Sequence, residues 1–272
     1  MCSVDFVVII PARYASTRLP GKPLLEIAGK PMVRHVHECA VASGAGRVVV
    51  ATDDERIYHA ATGFGAEVVM TSAHHRSGTE RLSEVVDHLQ LSDSTVVVNL
   101  QGDEPLMPAS LVCQVATVLH HHSAAAVATL STPLEGIAEI FDPHVVKVVR
   151  DAQGYALYFS RAPIPWNRDD FTFWINGAIS PPVAPIPTQK QEPREQYRGM
   201  YQRHIGLYAY RAGFIREYPT LPPSSLEQIE SLEQLRVLYH GRRIYVDEAT
   251  ALPGPGVDIP ADLDRVRTLL SQ

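Results

Sequence analysis

Within the first hundred residues the chain places four short, unbroken apolar runs: FVVII (6–10), RVVVAT (47–52), EVVMT (67–71) and TVVVNL (95–100). A strand with one wet face alternates polar and apolar residues, whereas a run that is apolar throughout is covered on both faces. The stretches between these runs carry a helical period. PMVRHVHECAVA (31–42) sets Met32, Val36 and Ala40 one turn apart behind Pro31, a residue suited to a first helical position, and GTERLSEVVDHL (78–89) and PASLVCQVATVL (108–119) repeat the pattern. Strand, helix and strand in alternation predict an α/β fold of three layers with a mostly parallel central sheet. In open sheets of this kind ligands lie outside the carboxyl ends of the strands, so the loops beginning at Pro11, Thr52, Thr71 and Gln101 are expected to converge.

Beyond about residue 130 the texture changes. VVKVVRDAQGYALYFSR (145–161) reads as a hairpin turning at Asp151 to Gly154, and QRHIGLYAYR (202–211) as a further strand, which together predict an antiparallel insertion. Between them, at about 171–200, five prolines fall within residues 181–193, and an irregular loop is expected. SSLEQIESLEQLRVLYHG (224–241) returns to helix with Ser224 or Ser225 as its cap, RRIYV (242–246) is one more strand, and PADLDRVRTLL (260–270) is a closing helix. The expected division is a nucleotide-binding core of 1–128 and 220–272 and an insertion of 129–219.

The loop behind the first strand poses the chemical question. PARYASTRLPGKPLL (11–25) holds Arg13, Arg18 and Lys22 within ten residues, and no acid stands between Asp5 and Glu26. The whole chain has 24 Lys plus Arg against 30 Asp plus Glu, a net charge of −6, which argues against a general nucleic-acid binder and makes the cluster a local device. Its partner is expected to be small and anionic. The loop is neither a GxGxxG fingerprint nor a Walker loop, because Ser16 stands where the Walker pattern needs glycine and Pro23 follows Lys22. Two guanidinium forks and one ammonium on a proline-stiffened turn suit a triphosphate.

The fourth run ends in NLQGDEP (99–105), placing Gln101 and Asp103 where the sheet opens. A carboxylate facing a cationic loop suits Mg²⁺, which is held by one or two carboxylates plus phosphate oxygens; the competing role is a turn built with Gly102. A second carboxylate, Asp258, lies in LPGPGVDIP (252–260), where by itself it is only a helix-cap pattern. The histidines at 35 and 37, 74 and 75, and 120–122 match no HExxH spacing. Cys2, Cys39 and Cys113 are odd in number and widely spaced, so no disulfide framework is expected and a reducing cytoplasm fits. No apolar stretch approaches the roughly 18 residues needed to span a bilayer, so no membrane partner is expected.

VVIIPARYASTRLPGKPL, HRSGTERL, VNLQGDEP, YALYFSRAPIPW, RHIGLYAYRAGFI, LEQIESLEQLR and PGVDIPADLDRVR resemble, in order, the blocks of the 3-deoxy-manno-octulosonate (Kdo) cytidylyltransferase family. The likeness runs from about residue 5 to the C-terminus outside the proline-rich stretch. It implies the nucleotide-diphospho-sugar-transferase fold and a cytoplasmic, Mg²⁺-dependent homodimer that transfers CMP from CTP to an acidic eight-carbon sugar, with the dimer contact in the middle segment. By that likeness Arg13, Arg18 and Lys22 hold the CTP phosphates, Ser77 and Gly78 line the base pocket, Ser16 and Gln101 also contact the nucleotide, and Asp103 and Asp258 bind the metal. The sugar is expected against Gln101, Arg161, His204, Tyr208, Glu233 and Gln234. Arg18, Lys22, Asp103 and Asp258 carry the catalysis.

These roles suit the chemistry, because an alcohol attacking the α-phosphate of CTP meets a screened centre and expels a polyanion, so positioning and charge neutralisation dominate. Arg161 offers a fork for the sugar carboxylate, and His204 and Tyr208, four apart on a strand, share a face. The chain departs from the family between Trp166 and Arg203, which bears on the acceptor and the dimer surface. The alternatives are CMP transfer to 8-amino-Kdo or a sialic acid, and a catalytically silent nucleotide-binding regulatory protein.

Overall fold

The computed structural model describes residues 2–15, 18–75, 78–134, 136–168, 171 and 199–271. In chain order its elements are β1 (Val7–Ala12), the short pair β2 (Glu26–Ile27) and β3 (Lys30–Pro31), α1 (Met32–Ala42), β4 (Arg47–Thr52), α2 (Glu55–Gly63), β5 (Glu67–Met70), α3 (Gly78–His88), β6 (Val96–Asn99) and α4 (Ala109–His121). There follow β7 (Val127–Pro133), α5 (Ile137–Phe141), β8 (Lys147–Arg150), β9 (Ala156–Ser160), β10 (Gln202–Arg211), α6 (Ala212–Glu217), α7 (Ser225–Glu230), α8 (Gln234–Tyr239), β11 (Ile244–Glu248) and α9 (Pro260–Leu270).

Among the described residues the main sheet runs β11-β7-β10-β6-β1-β4-β5. Every pairing along this path is parallel except the two made by β10, which lies antiparallel between β6 and β7. The β8–β9 hairpin joins the start of β10, where Gln202 pairs with Val148. Strands β7 and β10, from the segment expected to be an insertion, therefore stand inside the sheet, and the β8–β9 hairpin branches from β10 off the main strand order.

The double-sided burial predicted from the apolar runs is realised in β1: Val8 and Ile10 pack with α1 and α4, while Val7 and Ile9 pack with α3, α6 and α8. Period-two alternation thus serves two cores at once. The hairpin turn is tied by Asp151, whose Oδ1 accepts from the amides of Gln153 (2.9 Å) and Tyr155 (2.8 Å), with Gly154 at φ +89°.

Three expectations are corrected. Pro31 ends β3 and is the extended N-cap of α1, not its first helical residue. The single helix expected over 224–241 is two, α7 and α8, broken at Ser231, which takes a left-handed φ of 53°. The cause is a fork: Arg236 donates to Glu227 at 2.8 and 2.5 Å, and in a straight helix residues nine apart are separated by about 13 Å along the axis. Ser224 is the cap, in a reciprocal box with Glu227. Finally, Cys2 and Cys113 form a disulfide with Cα atoms 5.7 Å apart. A pairing across 111 positions depends on α4 lying beside the N-terminal segment, which cysteine spacing does not encode, so the cysteine count says nothing of compartment.

Candidate active site

The turn after β1 is closed by the Gly21 amide donating to the Tyr14 carbonyl (3.0 Å), and Gly21 takes φ +67° with the Tyr14 ring packed against it. From the other side the Arg56 guanidinium of α2 lies 3.3 Å from the centre of that ring. The turn so fixed delivers Lys22 inward. Its Nζ donates to Asp103 Oδ2 at 2.6 Å, to the Val257 carbonyl at 2.8 Å and to Asp258 Oδ1 at 3.3 Å. Asp103 and Asp258, 155 positions apart in sequence, thus face one ammonium. The segments carrying them are stitched directly, with the Val257 amide donating to the Asp103 carbonyl at 2.9 Å. Arg18 adds an exposed contact to Asp258 at 3.2 Å.

Asp103 depends on the residue before it. A Cβ at Gly102 would lie 2.9 Å from the carbonyl oxygen of Pro11, which is strand backbone and cannot give way. Gly102→Ala is therefore expected to push the Asp103 loop off the end of β1 and to lower the activity of the site about a hundredfold, with only a small loss of Tm. Steady-state kinetics and thermal unfolding of the variant check this, and unaltered kinetics would show that the loop tolerates displacement.

Lys22 lines a cavity of about 320 Å³ with Arg13, Gly78, Gln101, Asp103 and Glu233. Arg13 enters it from the end of β1 with its Nη2 buried and, among the described residues, without a hydrogen-bond partner. Burial, then the nearby Arg81 guanidinium, hold its pKa below the usual arginine value, so the site disfavours this cation until an anion arrives. Arg81 is fully buried on α3 and ties the convergent loops together, donating to Thr71 Oγ1 and, at 2.8 Å, to Asp53 Oδ2.

A second cavity, of about 380 Å³, opens on the α3 and α8 side of the sheet and shares Gly78, Gln101 and Glu233 with the first. The break between α7 and α8 turns Glu233 and Gln234 into it, and the Nε2 of the buried Gln234 has no hydrogen-bond partner among the described residues. His204 and Tyr208 line the opposite side with ring centres 5.2 Å apart. Asn99 accepts from Gln101 Nε2 at 3.1 Å, which leaves Gln101 Oε1 as the outward acceptor.

Burial lowers the His204 imidazole to about 3 and raises the Tyr208 phenol well above its ordinary value. The unfolded chain takes up the histidine proton near 6.5 and the folded ring only near 3. Stability from this group is therefore complete above pH 6.5 and falls as pH drops toward 3. His204→Gln is expected to lose less Tm than the parent between pH 7 and pH 5; equal losses would contradict the burial of the ring.

The structure thus brings Arg13, Lys22, Gly78, Gln101, Asp103, His204, Tyr208, Glu233 and Gln234 to two joined cavities, while Asp258 lines neither and reaches the first through Lys22. Arg161 is placed elsewhere and lines neither. Its Nε donates to the Glu230 carbonyl (2.8 Å) and its Nη1 to the Pro143 carbonyl (2.9 Å), so backbone oxygens occupy the fork expected to hold a carboxylate. Ser16 and Ser77 lie outside the described residues. Glu104 and Asn99 were missed, although NLQGDEP contains both. Burial first, then the charges of Asp103 and Asp258, raise the Glu104 carboxyl to about 7, and no spacing rule separates such an acid from an exposed loop residue.

A family model described as Cytidylyltransferase matches residues 7–244. A 3-deoxy-manno-octulosonate cytidylyltransferase of Aeromonas salmonicida is 56% identical over 272 residues, covering 98% of this chain and 100% of the relative. That of Pasteurella multocida is 53% identical, covering 98% and 99%. A solved structure of CMP:2-keto-3-deoxy-manno-octonic acid synthetase complexed with CTP matches with a TM-score of 0.83 at 42% identity, over 99% of both chains. A nucleotidyl transferase of Methanothermobacter, at 15% identity and a TM-score of 0.59 over 98% of this chain and 99% of that one, shares the fold.

Proposed function

The chain belongs to the 3-deoxy-manno-octulosonate cytidylyltransferase family, and on that premise we propose how its own residues transfer CMP from CTP to Kdo with release of pyrophosphate. The observation that carries the assignment is the junction of the two cavities at Gly78, Gln101 and Glu233, with the buried Arg13 Nη2 on one side and Gln234 Nε2 on the other, neither hydrogen-bonded among the described residues. The triphosphate occupies the Arg13 and Lys22 cavity, the sugar occupies the His204 and Tyr208 cavity, and the α-phosphate meets the acceptor hydroxyl between them.

The donor set fits Mg²⁺: two carboxylates and the Val257 carbonyl surround one cation position, all of them hard oxygens. Asp103 and Asp258 would hold the ion, which when bound lowers the pKa of a coordinated hydroxyl and neutralises phosphate charge. Arg13, Lys22 and Arg18 stabilise the departing pyrophosphate, and Gln101, held by Asn99, presents its Oε1 to a hydroxyl donor. The two cavities hold nucleophile and phosphorus in one approach, which converts a bimolecular step into an effectively unimolecular one. A cytoplasmic homodimer supplying activated Kdo for lipopolysaccharide assembly completes the reading. Leu157, exposed on the β9 hairpin, suits a contact with a second copy.

Pyrophosphate release from CTP with Mg²⁺ and Kdo tests the function. Release with Kdo, and much less with 8-amino-Kdo or a sialic acid at equal concentration, supports it. Preference for either of those acceptors moves the substrate, and CTP binding without release from any acceptor makes the chain a silent nucleotide binder.

A further inference from the structure

Strand β10 does not run straight past β7. Its register steps from Ile205 opposite Leu130 to Tyr208 opposite Thr129, so Gly206 and Leu207 form a bulge. One side chain knits this bulge together. The fully buried Thr129 hydroxyl lies 2.8 Å from the Leu207 carbonyl oxygen, 3.0 Å from the Ile205 carbonyl oxygen and 3.1 Å from His204 Nε2.

A hydroxyl carries one proton and two lone pairs. The two carbonyls have no proton to give, so the hydroxyl proton is theirs, and the remaining close contact is satisfied only if His204 Nε2 is the donor. The imidazole is then the Nε2–H tautomer, and Nδ1 is an acceptor. No described residue hydrogen-bonds to Nδ1, and the ring that carries it lines the second cavity. Phe159, edge-on at 5.1 Å, and Tyr208, at 5.2 Å, hold the ring from two sides.

We propose that Thr129 is a positioning residue for the acceptor: its buried hydroxyl locks His204 into the Nε2–H tautomer, so that Nδ1 accepts a hydrogen bond from a sugar hydroxyl. This rests on the second cavity being the acceptor site. The consequence is a polarity code. A lone pair at His204 Nδ1 welcomes a hydroxyl and repels a carboxylate, whereas the Nε2–H of Gln234 in the same cavity, without a partner among the described residues, welcomes an acceptor oxygen. The acidic sugar therefore enters in one sense, with a hydroxyl toward β10 and an acceptor oxygen toward α8.

The tautomer is read in the free protein by long-range ¹H–¹⁵N correlation, with the His204 signals identified by their loss in His204→Gln. The parent and Thr129→Ser are expected to show protonated Nε2, and Thr129→Val a mixture of tautomers. With Kdo and CTP, Thr129→Val is expected to raise KM for the sugar five- to tenfold, roughly the worth of one neutral hydrogen bond, with KM for CTP unchanged and Thr129→Ser restoring the parent value. Protonated Nδ1 in the parent overturns the proposal without any assay, so a poorly folding Thr129→Val leaves it testable. A raised sugar KM with an unaltered tautomer reduces Thr129 to packing and also overturns it. If the tautomer shifts while neither Thr129→Val nor His204→Gln changes sugar KM, the acceptor assignment of the cavity fails, and the positioning role fails with it.

Discussion

Asp103→Asn is expected to fold as the parent does and to lose about a thousandfold in Mg²⁺-dependent turnover, with KM for CTP changed only severalfold. The asymmetry follows from where the charge sits. Asp103 bonds to Lys22 at 2.6 Å beside the cavity lined by Arg13 and Lys22, and asparagine keeps an oxygen there that still accepts from the ammonium. Fold and nucleotide grip therefore survive. What disappears is one of two carboxylates converging on a single cation position, and with one left the ion loses its fixed place between nucleotide and acceptor. Thermal unfolding, CTP binding by calorimetry and single-turnover kinetics across a Mg²⁺ series separate the effects. Wild-type turnover in this variant would remove Asp103 from the metal site, and a matched loss of CTP affinity would make it a structural partner of Lys22 alone.

Legibility in the sequence followed the range of the interaction. Continuous β-branched runs gave β1, β4, β5 and β6 because burial on both faces leaves a composition signal in four to six consecutive residues. The cationic turn after β1 was equally plain, since three cations without a neighbouring acid are a local anomaly. The meeting of Asp103 with Asp258 was not local, and came from family likeness before Lys22 was seen bonded to both. Where a pattern was locally convincing and a distant partner overruled it, the expectation failed. The helix over 224–241 was broken by the Glu227–Arg236 fork, and that break is what turns Glu233 and Gln234 into the second cavity. Arg161 lies apart from both cavities for a different reason: its guanidinium is satisfied by backbone carbonyls, and residue type alone does not choose between those and a substrate carboxylate. Thr129 carried no signal at all, because its role exists only through the bulge opposite it.

Lys22→Met is expected to change nucleotide and metal binding in opposite directions. In the free protein the ammonium sits among Asp103 Oδ2, Asp258 Oδ1 and the Val257 carbonyl, the same oxygens that suit a divalent ion. Two cations cannot share that position, so Lys22 competes with metal until a triphosphate draws the ammonium toward its own oxygens. Methionine keeps the length of the side chain and removes the competitor. Mn²⁺ binding without nucleotide, followed by the loss of the free-ion paramagnetic resonance signal, is expected to tighten about tenfold, while kcat/KM for CTP falls about a hundredfold or more as the leaving pyrophosphate loses its ammonium. Stability should show the same linkage. With the metal chelated, two carboxylates are left facing each other and Tm drops by several degrees; added Mg²⁺ recovers more of it than it gives to the parent, since a ligand that binds only the folded state stabilises in proportion to its affinity. Unchanged nucleotide-free Mn²⁺ binding would place the ion away from Lys22, and with it away from at least one of the two aspartates that the ammonium now joins.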